Sequence, residues 1–225
     1  MNIDIVEGPG NPAAIVRLGA GEVCTAEGGA MIAMKGSFGV ETTTQDRGKG
    51  GILAGLKRAL SGQSFFLNHF TAQGSGGEIH FSTTLPGDMM TFPISGKALI
   101  AEGGSFVVKS PGVALDMSWQ GLKSVFSGDS LFWIRLSGEG MVVLSSFGAI
   151  YPIDIDGEYV VDTGHIVAFD ETLNFTISKA GSSWVSSFLG GEGLVCRFKG
   201  KGRLWCQSHH APEFGRLLGP MLRPR

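Results

Sequence analysis

Apolar and polar residues alternate along the chain in short runs that are separated by glycine-rich turns. Residues 13–26, AAIVRLGAGEVCTA, predict a strand, a turn at Gly19 to Gly21 and a second strand. Three later groups of apolar residues recur at every second position: Phe38, Val40 and Thr42; Val113, Leu115 and Met117; and Leu173, Phe175 and Ile177. Because side chains alternate across a strand, each group predicts a strand with one buried face.

A longer pattern of predicted helices, turns and strands occurs three times in the chain. Residues 121–146 predict a short apolar helix, a turn, a strand, a tight turn and a second strand, and the same order recurs at residues 51–83 and 182–208. The repeats align Phe70 with Leu136 and Phe198. A turn of the form acid, any residue, glycine comes earlier in each repeat and ends at Gly29, Gly104 or Gly164. We expect a positive φ at these three glycines.

The patterns together predict an all-β fold. We expect three internal repeats, at about residues 13–95, 96–154 and 155–208, in one compact domain that spans residues 1–210. Closure into a pseudo-threefold body, similar to a β-sandwich or a double-stranded β-helix with short helices at one end, would remove exposed sheet edges. Residues 211–225 are predicted to form a tail that Phe214, Leu217, Leu218 and Leu222 anchor on the body. Prolines argue against a long terminal helix.

Composition narrows the classes of partner and compartment. The chain has 225 residues, of which 36 are glycine, and its net charge is -2. A chain without an overall positive charge lacks the electrostatic attraction that nucleic-acid binding requires, so nucleic acid is not an expected partner. Three cysteines, an odd number, favour a reducing compartment. The first residues do not form a signal peptide, and no apolar run is long enough to span a membrane. We therefore expect a soluble, cytoplasmic protein.

Three phrases of the sequence carry a family resemblance: GLKSVFSGDSLFWIRLSGEG, SSFGAIYPIDIDGEYVVDTGHIVAF and SSFLGGEGLVCRF. They resemble phrases of a bacterial family of unknown function that also includes the mitochondrial altered-inheritance-of-mitochondria protein. The resemblance spans roughly residues 10 to 210. It implies a fold similar to the tryptophan RNA-binding attenuator protein, repeated three times, and no established enzyme activity. The fungal relatives are tied to organisation of the mitochondrial inner membrane, which implies a role as a scaffold or in assembly.

The residues that could serve in catalysis or bind a metal are interpreted as structural, because the motifs around them are incomplete. The chain has no G-x-S-x-G elbow, so Ser145 and Ser146 are expected at a strand end. Cys206, His209 and His210 offer soft metal ligands, but a structural zinc site usually needs four ligands in paired spacings. The glycine-rich residues 47–51 lack the P-loop ending, and no close pair of carboxylates in an apolar setting, as a general acid and base would need, is expected. We therefore predict no catalytic residue, no metal and no cofactor.

The repeat suggests a ligand site at His69, Arg135 and Arg197, which occupy one equivalent position. If a threefold axis relates the repeats, these side chains would form a basic ring that could bind a small anion. The alternative is that they face outward or form salt bridges, for example with Asp129 or Glu192.

The predicted helices suggest a second site. Leu56, Leu60, Val125, Phe126, Trp184 and Phe188 would form apolar knobs on one face, as a patch for a protein partner or a membrane surface. The alternative is that these helices plug one end of the β-body.

These observations predict a non-catalytic scaffold or binding protein that is a homo-oligomer, with a possible link to membrane organisation or assembly. The alternative is a module that binds a small anionic ligand or RNA, like the attenuator protein. Stacking aromatic residues and a steep salt dependence of binding would distinguish it. An enzyme would instead show a pocket with several strongly perturbed titratable groups.

Overall fold

The structure, a computed structural model, describes residues 1–8, 11–44, 65–117, 132–179 and 194–222. These ranges contain fourteen strands. The strands are β1 (Asn2–Val6), β2 (Ala13–Leu18), β3 (Val23–Glu27), β4 (Met31–Thr43), β5 (Leu67–Phe81), β6 (Met89–Ser95), β7 (Leu99–Glu102), β8 (Phe106–Lys109), β9 (Val113–Asp116), β10 (Trp133–Ser145), β11 (Ile150–Asp162), β12 (Ile166–Asp170), β13 (Asn174–Lys179) and β14 (Leu194–Gln207). Helix α1 (Ala211–Leu218) follows, and 3-10 turns occupy Gly103–Ser105, Thr163–His165 and Gly219–Met221. The all-β prediction is confirmed at this level.

The described strands join into one large antiparallel sheet. The hydrogen-bonded order is β1-β2-β5-β3-β8-β10-β7-β12-β14-β11, and β4, β6, β9 and β13 branch from it. Because the order begins at β1 and ends at β11 without a pairing between them, the sheet is open and the predicted closed body is wrong. β11, at the end of this hydrogen-bonded order, contains Pro152. Proline has no N–H to donate and is therefore suited to an edge strand.

Three long strands bend at glycine and pair with different neighbours on either side of the bend. In β10, the half before Gly138 pairs with β7 and β9, whereas the half after it pairs with β6 and β8. Gly138 has a φ of 107°, and a Cβ there would overlap the carbonyl oxygen of Gly112. The strands β5 and β14 divide one edge in this way, since β3 and β2 pair with the two halves of β5, and β13 and β12 with the two halves of β14. Their other edges pair along the whole strand with β4 and β11. Five of the eleven glycines with positive φ in the described residues lie within these three long strands.

The core consists of three clusters of buried apolar residues, each centred on one long strand. Phe70 and Phe81 of β5 belong to the first cluster, and Leu136 and Leu144 of β10 to the second. Phe198 and Leu204 of β14 belong to the third. All six side chains are at most 2 % exposed. The alignment of Phe70, Leu136 and Phe198 therefore located the interior of each long strand correctly.

Local predictions were confirmed in part. The strand, turn and strand at residues 13–26 are β2 and β3. Gly29 has the expected positive φ of 95°, but the prediction is wrong for Gly104 and Gly164, which lie in 3-10 turns. The buried face predicted for Val40 is also wrong, since Val40 is 52 % exposed. The three predicted helices lie outside the described residues.

The tail forms the short helix α1 and a 3-10 turn that contains Pro220. The predicted anchoring of the tail is wrong for two of its four residues, because Leu217 is 64 % and Leu222 is 67 % exposed. The ring of Phe214 packs against the body, at 5.3 Å from the ring of Phe147. None of the helical segments in the described ranges has the length and apolar content that crossing a bilayer requires.

Candidate functional site

The three residues of the predicted ring occupy one equivalent position in the strand pairing. Each lies on a long strand, opposite one residue of an earlier strand on one side and one residue of another strand on the other side. The opposite residues are Thr25 and Glu41 for His69, Ile100 and Asp116 for Arg135, and Val160 and Thr176 for Arg197. All three residues are therefore paired with neighbouring strands on both sides.

The surroundings of the three ring residues differ. His69 is 1 % exposed, and its ring nitrogens bond the hydroxyl groups of Thr25, at 2.9 Å, and Thr43, at 2.8 Å. Arg135 donates two hydrogen bonds to Glu171, at 2.6 and 3.0 Å. Arg197 forms an ion pair with Glu158. The ring remains a prediction, but both guanidinium groups are paired with carboxylates, which reduces their attraction for an added anion.

The ion pairs shift the pKa values of their members in the expected directions. The hydrogen bonds from Arg135 lower the pKa of Glu171, and the bond to Glu171 raises the pKa of Arg135. Hydrogen bonds from Arg197 and Lys199 lower the pKa of Glu158. These exposed pairs match the salt-bridged alternative that the sequence left open for the arginines.

The six residues of the predicted apolar patch, Leu56, Leu60, Val125, Phe126, Trp184 and Phe188, lie outside the described residues, as do Asp129 and Glu192.

His69 belongs to a buried row of polar side chains that crosses three strands. Thr25 lies opposite His69 in the pairing of β3 with β5, and opposite Lys109 in the pairing of β3 with β8. Side chains directly opposite each other lie on one face of a sheet, and these three are at most 3 % exposed. The ammonium group of Lys109 donates to the carbonyl oxygen of Val113 at 2.6 Å. Because the row is buried, we interpret it as structural.

Two carboxyl groups that sequence reasoning missed lie close together at the ends of β3 and β7. Burial raises the pKa of Glu27 to about 7, with a further contribution from the nearby charge of Glu102. Burial also raises the pKa of Glu102, although Ser105 donates a hydrogen bond to it at 3.4 Å. The expectation that no carboxylates pair closely is therefore wrong. The available signal was that both acids begin the same kind of acid-x-Gly turn.

Aromatic residues lie beside this carboxyl pair. The N–H of Gly28 donates to the carbonyl of Phe66 at 2.7 Å, and the N–H of Gly103 donates to that of Phe132 at 2.8 Å. The rings of Phe65 and Phe132 are 5.2 Å apart. Such an apolar setting explains why both carboxyl groups favour the protonated form.

A ladder of ion pairs covers one face of the β11 and β14 pair. Asp154, Asp156 and Glu158 lie directly opposite Arg203, Lys201 and Lys199. The distances are 2.6 Å for Asp154 to Arg203, 3.5 Å for Asp156 to Lys201 and 3.0 Å for Glu158 to Lys199. The six side chains of the ladder are 42–84 % exposed, and β11 continues beyond the acids to Asp162.

An open cleft of about 520 Å³ lies beside this ladder, with Asp154, Lys201, Arg203 and Trp205 in its lining. Asp170 also lines it and accepts a hydrogen bond from the backbone N–H of Arg203 at 2.8 Å. The acids and bases of the cleft are paired with one another, so a charged ligand would have to displace an existing ion pair.

The potential metal ligands near the end of β14 are divided between two regions. Cys206 belongs to the core cluster of Phe198, where burial raises the pKa of its thiol to about 12. His209 packs on Phe147 at 5.0 Å. His210 packs on His165 at 5.7 Å, and a Cβ at Gly164 would overlap its imidazole. Across the described ranges, no three His, Cys, Asp or Glu side chains are placed to hold a metal ion.

Two apolar surfaces remain uncovered in the described part of the chain. The β4 surface consists of Met31, Ile32, Met34 and Val40, which are 42–60 % exposed. The C-terminal set consists of Phe214 and Leu217 of α1 and of Met221 and Leu222 beyond it, which are 40–74 % exposed. Exposed apolar patches on soluble proteins commonly mark interaction sites.

Comparison with known proteins decides the family. The sequence profile described as "Mitochondrial biogenesis AIM24" matches residues 4–209. The chain belongs to this family. The resemblance inferred from the three sequence phrases is therefore confirmed.

Relatives of this AIM24-family chain include bacterial proteins. An uncharacterized protein of Streptococcus pyogenes serotype M6 is 27 % identical over 210 residues, which are 88 % of this chain and 84 % of that protein. The X-ray crystal structure of a protein from Streptococcus pyogenes has the same fold, with a TM-score of 0.81 at 24 % identity, over 98 % of this chain and 99 % of that one. The AIM24 match contains the β4 surface but ends before α1.

Proposed function

We propose that this AIM24-family chain is a non-catalytic scaffold or binding protein that works as a homo-oligomer. The observation that carries the proposal is the β4 surface. Among the described strands, β4 pairs only with β5, and ten of its thirteen residues are exposed. A long edge strand with exposed methionine, isoleucine and valine side chains is a template for pairing with another chain.

The occupant of the β4 surface is a second copy of the chain. Lys35 and Glu41 lie three residues before and three residues after Phe38, and both are exposed. If two copies of β4 meet antiparallel with Phe38 at the twofold axis, Lys35 of each copy lies opposite Glu41 of the other. Twofold contacts of this kind are the commonest in homo-oligomers. The charges and the apolar side chains are thus both compatible with self-association.

Several finer features form part of the proposal. The equivalent registers of His69, Arg135 and Arg197 support threefold internal duplication. The resemblance to the attenuator-protein fold and the cytoplasmic location are retained as expectations. The three cysteines are free and buried, which favours a reducing compartment. The family description names a biological process and no reaction, which fits a role in assembly.

The alternative, binding of a small anion or RNA, receives less support. It requires accessible positive charge, whereas Arg135 and Arg197 are paired with Glu171 and Glu158, and His69 is buried. Lys199, Lys201 and Arg203 also face carboxylates in the ladder.

Sedimentation of charge-reversal variants tests the proposal. We expect the full chain to sediment as an oligomer whose population increases with protein concentration. Lys35→Glu or Glu41→Lys alone should shift it towards monomer, and the double variant should restore association. Lys97→Glu changes an exposed lysine on the loop between β6 and β7 and serves as the control. A monomeric wild-type protein at every concentration would refute the proposal, and unchanged sedimentation of both single variants would exclude β4 as the contact.

A further inference from the structure

Two antiparallel strand pairings join consecutive repeats of the proposed duplication. The first joins β3 to β8, and the second joins β7 to β12. Most residues of these four strands are buried. The directly opposite residues are Thr25 and Lys109 with Ala26 and Val108 in the first pairing, and Ile100 and Phe169 with Ala101 and Ala168 in the second.

The two pairings have the same register. Thr25 and Ile100 are equivalent, because each also lies opposite a residue of the predicted ring, on β5 or β10. Lys109 and Phe169 are equivalent, because each lies five positions after the last glycine of an acid-x-Gly turn. Consecutive repeats are therefore joined by one geometry that the chain uses twice.

A third pair of equivalent positions is not joined within the chain. Val160 of β11 lies opposite the ring residue Arg197. Met34 of β4 lies five positions after Gly29, the last glycine of the first acid-x-Gly turn. A third junction of the same register would place Val160 opposite Met34. Among the described strands, however, β11 pairs only with β14 and β4 only with β5.

Exposure distinguishes the missing junction from the two that are formed. Thr25 and Lys109 are at most 3 % exposed. Val160, in contrast, is 44 % and Met34 is 42 % exposed. Edge strands usually carry charges or proline that prevent pairing with another chain. The segments 31–34 and 159–161 carry neither, so both are suited to accept a partner strand.

We propose that β11 of one copy pairs antiparallel with β4 of a second copy, in the register of the two internal pairings. Val160 then lies opposite Met34, and Tyr159 lies opposite Lys35. The partner is a second copy because β4 and β11 of one chain are not paired, and each copy offers both strands. Such a head-to-tail contact generates a closed ring or an extended row of copies.

This inference rests on the proposed homo-oligomeric function and names a second strand that β4 binds. The free edge of β4 accepts one partner strand at a time. A row of copies therefore ends in one β4 that carries no β11, and the proposed twofold contact joins two such ends. The internal pairings supply the register of the head-to-tail contact, whereas the charges of Lys35 and Glu41 supply that of the twofold contact.

Mixing two variants that each carry one added cysteine tests the register. Met34→Cys and Val160→Cys place thiols directly opposite each other, at a Cβ separation of about 4.5–5.5 Å that a disulfide nearly spans. The native cysteines are at most 1 % exposed and contribute little background. Under mild oxidation at micromolar concentration, we expect the mixed disulfide-linked dimer as a main product, which mass spectrometry identifies.

Tyr159→Cys replaces Val160→Cys in the matched control mixture. Tyr159 is 43 % exposed, close to Val160, but successive side chains of a strand lie on opposite faces. The control should therefore give roughly tenfold less mixed dimer with Met34→Cys. Equal yields from the two mixtures would overturn the proposed register.

One chain that carries both Met34→Cys and Val160→Cys distinguishes contact between copies from closure within a copy. Pairing between copies produces a series of disulfide-linked oligomers on a non-reducing gel, and their yield increases with protein concentration. An internal disulfide in a monomer at every concentration would show that β4 and β11 close the sheet of one chain, and it would overturn the proposal.

A mixture of Lys35→Cys and Glu41→Cys reports the twofold contact separately. A mixed dimer from this pair, without one from Met34→Cys and Val160→Cys, would overturn the head-to-tail pairing alone. The reverse result would support the head-to-tail pairing and exclude the twofold register. Wild-type protein that sediments as a monomer at every concentration would overturn both proposals.

Discussion

Charged side chains occur in two regions of the sheet, the interior and the exposed face of β11 and β14, and their electrostatic environments differ. In the interior, Lys109 is 2 % exposed and bonds a backbone carbonyl, while burial raises the pKa of Glu27 to about 7. On the β11 and β14 face, the side chain of Arg203 is 48 % exposed and its bond to Asp154 lowers the pKa of that acid. The same residue types are therefore constrained by desolvation in one region and by direct ion pairing in the other.

Reversing the charge of a lysine should give the largest difference in stability between the two regions. Lys109→Glu would place a carboxylate in the interior beside the carbonyl of Val113, and we expect it to lower the free energy of unfolding by about 3–5 kcal/mol. Lys201→Glu, at a side chain that is 84 % exposed, is the matched control and should have a much smaller effect. Urea unfolding of both variants measures the difference.

If Lys109→Glu does not fold, Lys109→Met gives a second measurement. It retains a long apolar side chain but leaves the carbonyl of Val113 without this donor, which should cost about 1–3 kcal/mol. Equal effects of reversal at Lys109 and Lys201 would contradict the distinction between interior and surface.

The pH dependence of stability sharpens the comparison at the carboxyl groups. Burial raises the pKa of Glu27 from its ordinary value of 4.5 to about 7 in the folded protein, so unfolding releases its proton between these pH values. Stability therefore decreases as pH rises from about 4.5 to 7. Glu27→Gln removes this penalty and should stabilise the protein by about 1–3 kcal/mol at pH 8 and by little at pH 4.5.

Urea unfolding of Glu27→Gln and wild type at the two pH values measures this effect. Glu158→Gln is the control with the opposite sign, because the pKa of Glu158 is lowered and its ionised form is favoured by folding. A gain from Glu27→Gln that is larger at pH 4.5 than at pH 8 would contradict the assigned direction.

The smallest effect is expected in the ladder itself. Arg203→Gln removes the two bonds to Asp154, but exposed ion pairs contribute little, so the melting temperature should fall by about 1–2 °C at low salt. The difference should disappear in 0.5 M NaCl, because salt screens exposed charges. A fall of many degrees in the melting temperature that does not depend on salt would contradict this prediction. It would show that the ladder contributes as much to stability as the interior row does.

The sequence was sufficient to predict features that depend on local pattern. The alternation at residues 13–26 predicted β2 and β3, and the repeats aligned the buried positions Phe70, Leu136 and Phe198. These features follow from the period of a strand, which a sequence displays directly.

Features that depend on strand order could not be predicted in the same way. Glu27 and Glu102 are distant in sequence and come together because β3, β8, β10 and β7 are consecutive in the sheet. Lys109 was overlooked because lysine is rarely fully buried. The ring hypothesis treated His69 like the two arginines, although the threonines that surround it come from β3 and β4.

The divided pairing of the long strands has a consequence for synthesis on the ribosome. The last strand, β14, supplies the hydrogen-bond partner of β11, β12 and β13, and β12 in turn borders β7. In nascent chains that lack residues 194–207, the strands β11, β12 and β13 would have no β14 to bond. The final third of the sheet can therefore form only after nearly the whole polypeptide has left the ribosome. Slow maturation, with a late step sensitive to C-terminal truncation, is the expected signature in a pulse-chase proteolysis experiment.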